Sequence, residues 1–445
     1  MLKRMIGLSL LCVAGHAHSA TLNLIVNTTA DENGTNNSAC SLREAVTLIS
    51  SGKLGVVEEN TTTKVITNGY GGCGVMKTAQ ITTTDDKGVT TTKLGVASDS
   101  DTYTAIIELE NGQIYELNPT IGRLDVKQSM SIRAKTLDDV NDPQGLKAPI
   151  IRATGHHGIF RVNDEKTAAN SVIAFAINQI NLEGCNSSGT NTNVCESLGG
   201  VIINNESLTL SKVRIKGGYA VSGGAIYNAS SDARLVTNDV EFSGNTATNG
   251  AAIYVEQSGI SINRSLFQKN TATDSANFGA VIWMATQGKA FDTDVIARTN
   301  TIANSTFTNN TAYASNLVRD MRIVSSTIVG NRGGVYLDST GLANLANSIV
   351  AGNTAADCHF SASNQAYINH VVYVTGCEQS AADHITGATK ITNTGTTTLF
   401  ADANNDQICD KPPANGLLCP LRAGKNDFLA FFKPRMLMSY TNRFQ

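Results

Sequence analysis

The stretch from Gly223 to Asn353 decides the fold. It contains Phe242-Ser-Gly-Asn245, Phe267-Gln-Lys-Asn270, Phe307-Thr-Asn-Asn310, Ile328-Val-Gly-Asn331 and Val350-Ala-Gly-Asn353, each an apolar residue followed three places later by Asn. Between the copies lies a second signal: GGAIY (Gly223–Tyr227), GAAIY (Gly250–Tyr254), GAVIW (Gly279–Trp283) and GGVYL (Gly333–Leu337). The apolar positions follow one another at 25, 40, 21 and 22 residues, a near-period with insertions. A unit this short cannot bury a core alone, so neighbouring units must stack.

Within each unit the apolar residues alternate, as in Ile260-Ser-Ile262, and the runs are short, β-branched and bounded by Gly, Asn, Asp and Ser. Two or three such strands per unit leave no room for a crossover helix. The pattern therefore predicts one coil of a parallel β-helix per unit. Asn at one repeat position predicts a stacked ladder of side-chain amides, with Asn also suited to the left-handed backbone of a sharp corner. Upstream, Ile106–Leu109, Ile114–Leu117, Leu124–Val126, Met130–Ile132, Ile150-Ile151, Ile159–Val162, Ile177–Ile180 and Val213–Ile215 continue the strand series. About ten coils at the ordinary strand spacing predict a rod roughly 50 Å long.

The chain has 445 residues, a net charge of -3 and only 16% charged residues, so neither nucleic acid nor an anionic membrane surface is indicated as a partner. Lys3 and Arg4 precede the apolar run Met5–Ala14, with small residues around Ala17–Ala20, the pattern of a secretory signal peptide. That run is too short to span a membrane, and no later segment is long enough for a transmembrane helix. Of nine cysteines, Cys12 falls in the signal. The other eight, an even number in an exported chain, predict disulfides, with nearest-neighbour pairing 40–73, 185–195, 358–377 and 409–419.

The open end of a β-helix would recruit other chains unless covered. Thr21–Asn27 reads as a strand, and Cys40–Ala45 (CSLREA) follows it. Ser41 and Glu44 have capping-box spacing, so a helix should begin at Leu42 and bury Leu42, Ala45, Val46 and Ile49. Such a helix is a plug for the first coil, oriented by a partner for Arg43. The Thr- and Gly-rich stretch Leu54–Ser100 reads as an insertion on that coil.

The hexapeptide CSLREA, following a short strand and an Asp/Asn/Gly loop, resembles the CSLREA domain of bacterial exported proteins. With the downstream GGAIY and Asn repeats the likeness covers most of Thr21–Asp357. It implies a right-handed parallel β-helix of the pectate-lyase-like superfamily with polymorphic outer membrane protein repeats. More narrowly the chain resembles the rhombotarget A family of Gram-negative bacteria. That resemblance implies the export machinery and a rhombosortase-type protease as partners. The C-terminal FLAFFKPRMLMSYTNRFQ departs from that family's tail, lacking its Gly-Gly pair and long apolar span.

Gly155–Gly158 (GHHG) and Arg214-Ile215-Lys216 loosely match polygalacturonase signatures, but glycosidic hydrolysis needs a carboxylate pair on one groove. The candidate Asp138-Asp139 sits about three coils from Arg214. His156-His157 has no third ligand nearby in sequence. Asp402, Asn404, Asp406 and Asp410 offer oxygen ligands at positions 1, 3, 5 and 9 of an EF-hand-like loop, although Gln407 replaces the usual Gly and Pro413 stands at position 12. They are the candidate calcium site.

The reading divides the chain into a signal peptide (1–20), an N-terminal cap with the CSLREA motif and insertion (21–103), the β-helix (104–356) and a C-terminal disulfide-bearing region with the calcium loop (357–445). It points to a secreted or cell-surface scaffold for adhesion, without catalytic residues, whose ligand is a polysaccharide or a host or cell-surface protein. The alternatives are a polysaccharide lyase or glycoside hydrolase acting on acidic polysaccharide, and a structural surface or passenger component.

Overall fold

The computed structural model describes residues 20–35, 39–51, 70–74, 80–84, 90–94, 103–136, 142, 145–166, 172–186, 195–257, 259–274, 279–285, 300–312, 318–319, 321–337, 344–354, 356–360, 367–379 and 385–391. Among them the chain is a parallel β-helix. Three sheets of twelve, eleven and nine strands run its length, and every strand in them pairs in parallel with the strand one coil away. One coil shows the pattern. Ser207–Ser211 lies in the first sheet, Arg214–Lys216 in the second and Ile226–Asn228 in the third, before Arg234–Asn238 re-enters the first. A short fourth sheet, with Tyr219–Ser222 as its strand in this coil, covers the angle between the second and third. No helix among the described residues is long and apolar enough to cross a membrane.

Coil strands extend past both ends of the expected 104–356 span. Ala20–Ile25 is the first rung of the twelve-stranded sheet, paired with Tyr103–Leu109 across the whole cap region. At the other end the rungs continue through Thr389–Lys390. Ile177–Ile180 is not one strand either: Gln179 has φ 55°, and the corner there splits the run between the first and second sheets.

The core is a set of vertical stacks. Ile215, Phe242, Phe267, Phe307, Ile328 and Val350 are register partners in successive coils, all fully buried. The three phenyl rings lie nearly parallel, with centroids 4.7 and 4.4 Å apart. In-register parallel pairing forces like residues over like, and each buried side chain contributes about 1.5–3 kcal/mol.

Next to this stack runs the Asn ladder. Asn245, Asn270, Asn310 and Asn331 each donate from Nδ2 to the Oδ1 of the next Asn at 2.9–3.0 Å, and from the backbone N–H to the same oxygen at 3.0–3.1 Å. The second Nδ2 hydrogen goes to a carbonyl of the preceding coil, as from Asn270 to Phe242 at 2.8 Å. Every polar atom of these buried amides is thus matched. The ladder Asn residues do not adopt the left-handed conformation. Their predecessors do: Gly244, Lys269, Asn309, Gly330 and Gly352, with φ between 54° and 67°. That residue makes the turn, which leaves the Asn free to point inward.

The GGA signal has its own physical cause. Gly223 has φ 71°, and a Cβ on Gly224 would meet the carbonyl oxygen of Ala251 at 2.2 Å. Coil-to-coil backbone contact excludes a larger side chain there.

The helix Leu42–Ser50 covers the first coil as expected. Ser41 caps it with a complete capping box. Leu42, Ala45, Val46 and Ile49 are buried against strands Tyr103–Leu109 and Leu124–Val126, and Leu48 is buried with them. Arg43 makes a bidentate pair with Asp31 at 2.7–2.8 Å and donates to the carbonyls of Gly122 and Arg123. Disulfides join Cys40–Cys73, Cys185–Cys195 and Cys358–Cys377. The expected 409–419 pair, the signal segment and most of Leu54–Ser100 lie outside the described residues.

Candidate functional site

Strand alternation turns every second residue outward, and register then gathers outward residues into columns. The column on the second sheet is charged. Arg152 bonds Glu116 at 2.9 Å and Glu183 at 2.7 Å, Lys216 bonds Glu183 at 2.7 Å, and Arg214 bonds Glu241 at 3.1 Å. Burial alone would raise the Glu183 carboxyl, but Lys216 and Arg152 hold it below the ordinary glutamate value. Elsewhere Glu108 pairs with Arg133, Glu110 with Lys135, Asp125 with Arg161, Glu196 with Arg123 and Asp239 with Arg264. These carboxylates cross-link successive parts of the rod.

The residues singled out for polygalacturonase-like chemistry fall into this framework. Arg214 and Lys216 are committed to Glu241 and Glu183. His157 is buried, with Nδ1 2.7 Å from the Gly158 carbonyl oxygen. Among the described residues, no group of three or more His, Cys, Asp or Glu side chains could hold a metal ion. Asp138-Asp139 and the calcium quartet Asp402, Asn404, Asp406 and Asp410 lie outside the described residues.

The third sheet carries a different column, which the sequence reading quoted without interpreting. Ile203, Tyr227, Tyr254 and Trp283 are consecutive register partners, and Tyr336 and His359 occupy the same column further along. Their signal was the last residue of GGAIY, GAAIY and GAVIW and the Tyr of GGVYL. The Tyr227 and Tyr254 rings stack at 5.2 Å, and Tyr336 and His359 lie at the same separation. Tyr227 donates its hydroxyl hydrogen to Glu256 at 2.5 Å. Burial first, then Glu256, pushes that phenol well above its ordinary range, and the same two causes raise Tyr254. The hydroxyls therefore stay protonated. Tyr227 is buried at the head of the column, whereas Tyr254, Trp283 and Tyr336 are half-buried and offer aromatic edges for contact, with Arg319 between the last two in register.

The fold and its ladders define a class: a parallel β-helix built from short repeats. One of those repeats has a known counterpart. Residues 239–256 match the Chlamydia polymorphic membrane protein (Chlamydia_PMP) repeat. The match spans one coil segment, from the second-sheet strand bearing Phe242, through Asn245, to the third-sheet strand bearing Tyr254. Among solved structures, the A-module of Azotobacter vinelandii mannuronan C-5 epimerase AlgE4 aligns over 65% of this chain and 82% of that one. The identity is 13% and the TM-score 0.31. No curated protein matches.

Proposed function

We propose that the protein is an exported, surface-associated scaffold that binds a polysaccharide or cell-surface ligand through the third-sheet aromatic column and performs no catalysis. One contrast carries this reading. The carboxylates of the charged column are engaged in ion pairs, whereas the third sheet carries Tyr227, Tyr254, Trp283 and Tyr336 in one column. Ion pairs of this kind fix carboxylates against cations, unlike the paired acid and base that glycosidic chemistry requires. Tyr and Trp are also the residues that carry most binding energy in recognition surfaces.

Export is supported by the N-terminal signal pattern and by three disulfides, which persist in oxidising compartments. The CSLREA and rhombotarget A resemblances point the same way. Calcium on Asp402, Asn404, Asp406 and Asp410 is proposed as a local structural support of the C-terminal region.

Trp283 is the only tryptophan of the chain, and it sits in the column. Its fluorescence is therefore a direct reporter. Titration with pectate, alginate and hyaluronan oligosaccharides is expected to shift Trp283 emission without releasing unsaturated or shortened sugars. Tyr254→Ala is expected to weaken binding about tenfold or more. Turnover abolished by a single carboxylate substitution would replace the scaffold with an enzyme. Binding unaffected by Tyr254→Ala would remove the column from the site.

A further inference from the structure

The outward face of the second sheet changes character along the rod. Up to Glu241 it carries the ion-paired column, with the Lys216 side chain 48% exposed. From Leu266 to Ala351 every outward position is uncharged. Phe267, Phe307, Ile328 and Val350 point into the core, so their neighbours along each strand point out. Yet Leu266 is 1%, Val329 0% and Ala351 0% exposed, and Thr306 and Thr308 are buried with them. An outward valine or alanine on a parallel sheet loses all contact with water only under a second layer.

The structure holds a single chain, so that layer belongs to this chain. Neighbouring rungs meet the strip edge-on through backbone pairing, and among the described residues no strand or helix packs across it. The connections 286–299, 338–343 and 361–366 run from the third sheet to the first, at the corner opposite this face. The connection 313–317 is too short to cover a strip of four rungs. The chain after Ile391 is placed differently. Thr389–Lys390 is the last described strand of the second sheet itself, five rungs from Leu266–Gln268, a distance of about 24 Å. An extended chain crosses that distance in about eight residues, and 392–445 is several times longer.

We propose that the segment 392–445 turns back along the rod and straps the second sheet, laying apolar side chains of 428–438 over the outward face between Leu266 and Ala351. That stretch reads Phe428-Leu429-Ala430-Phe431-Phe432-Lys433-Pro434-Arg435-Met436-Leu437-Met438, rich in the large apolar side chains that an uncharged face accepts. The strap ends where the charged column begins, since Arg214, Lys216 and Glu241 would be costly to bury under such a segment. The third-sheet aromatic column lies on another side of the coil, so the strap leaves it open to a ligand.

Photo-cross-linking in the full-length protein reads the strap directly. Thr327 faces outward in the middle of the strip and is half-buried, so benzoylphenylalanine placed there should cross-link to 425–445, as mapped by mass spectrometry. The same probe at Ser243, outward in the charged part of the sheet, should give no cross-link to that segment. Trypsin should cut the native chain slowly after Lys425 and Arg435. Phe431→Asp combined with Phe432→Asp should speed those cuts about tenfold or more and abolish the Thr327 cross-link, while the rod stays folded. Cross-links from Thr327 to another segment or to a second copy of the chain, or no cross-link at all, would overturn the strap. Equal cross-linking from Ser243 and Thr327, or tryptic cleavage unchanged by the double substitution, would overturn it as well.

Discussion

At the scale of single residues, Asp357 explains why the Asn ladder stops where it does. Asn353 donates from both its backbone N–H and Nδ2 to Asp357 Oδ1, at 3.2 and 3.0 Å, while Asp357 Oδ2 accepts from the Val374 and Thr375 N–H groups at 2.7 and 3.0 Å. A carboxylate has only acceptors, so it ends a chain whose every link points a donor towards it. Asp357→Asn is nearly isosteric, yet either amide orientation turns an NH₂ group against two N–H donors. A loss of about 2–4 kcal/mol in chemical denaturation is expected. Asn270→Ala strips the acceptor from the Asn245 N–H and amide, with an expected loss of about 2–4 kcal/mol. Phe267→Ala opens a cavity between two stacked rings and should cost about 3–5 kcal/mol. The ladder was legible because register converts a sequence repeat into vertical contact. Asp357 was not, since it stands four residues past Asn353 and enters the ladder from outside the repeat. The Ser265, Ser305, Ser326 and Ser348 column was missed although each Ser lies two places before the apolar residue. Each of the first three N–H groups bonds the next Oγ at 3.1–3.2 Å.

At the scale of elements, the cap was the most legible piece and its anchor the least. Capping-box spacing placed the helix start to the residue, because Ser41 and Glu44 act locally. The partner of Arg43 depends on folding: Asp31 lies twelve residues back, and the carbonyls of Gly122 and Arg123 about eighty residues on. Asp31 also accepts from the Asn118 N–H at 2.6 Å, so the pair bolts the plug to the first coils. Both side chains are 6% exposed. Arg43→Ala leaves a buried carboxylate with no counter-charge and should cost about 3–5 kcal/mol in unfolding experiments. Replacing Leu42 and Val46 together with Asp should instead detach the plug and expose the first rung. Soluble protein that self-associates in analytical ultracentrifugation is the expected outcome, and a strictly monomeric double variant would argue against a capping role. For the C-terminal loop, millimolar calcium should protect 400–420 from proteolysis. Asp402→Ala combined with Asp406→Ala should abolish the protection, and calorimetry without a calcium signal would remove the site.

At the scale of the molecule, the rod is a one-dimensional array, and each coil is stabilised chiefly by the coil on either side. The aliphatic, phenyl and amide stacks are continuous from Ile215 to Val350, so the middle of the rod has two well-packed neighbours everywhere. The ends differ. The N-terminal end has the buried helix, the Arg43–Asp31 pair and the Cys40–Cys73 bridge. In the last described rungs, Ile385–Thr386 and Thr389–Lys390 are two-residue strands with partly or fully exposed side chains, and the Cys358–Cys377 bridge lies one coil inward. Among the described rungs, opening should therefore be easiest at Ile385–Thr386 and Thr389–Lys390 and hardest in the stacked middle. Hydrogen exchange resolved along the chain should show protection highest in the described strands between Leu182 and Asn331, high over 42–50, and lowest among the described strands in Ile385–Thr386 and Thr389–Lys390. Reduction of the disulfides should steepen the fall past 358 and leave 207–331 unchanged, since no bridge lies within those coils. Uniform protection along the chain, collapsing everywhere at once on reduction, would mean that the bridges hold the whole rod together and that nearest-neighbour stacking does not.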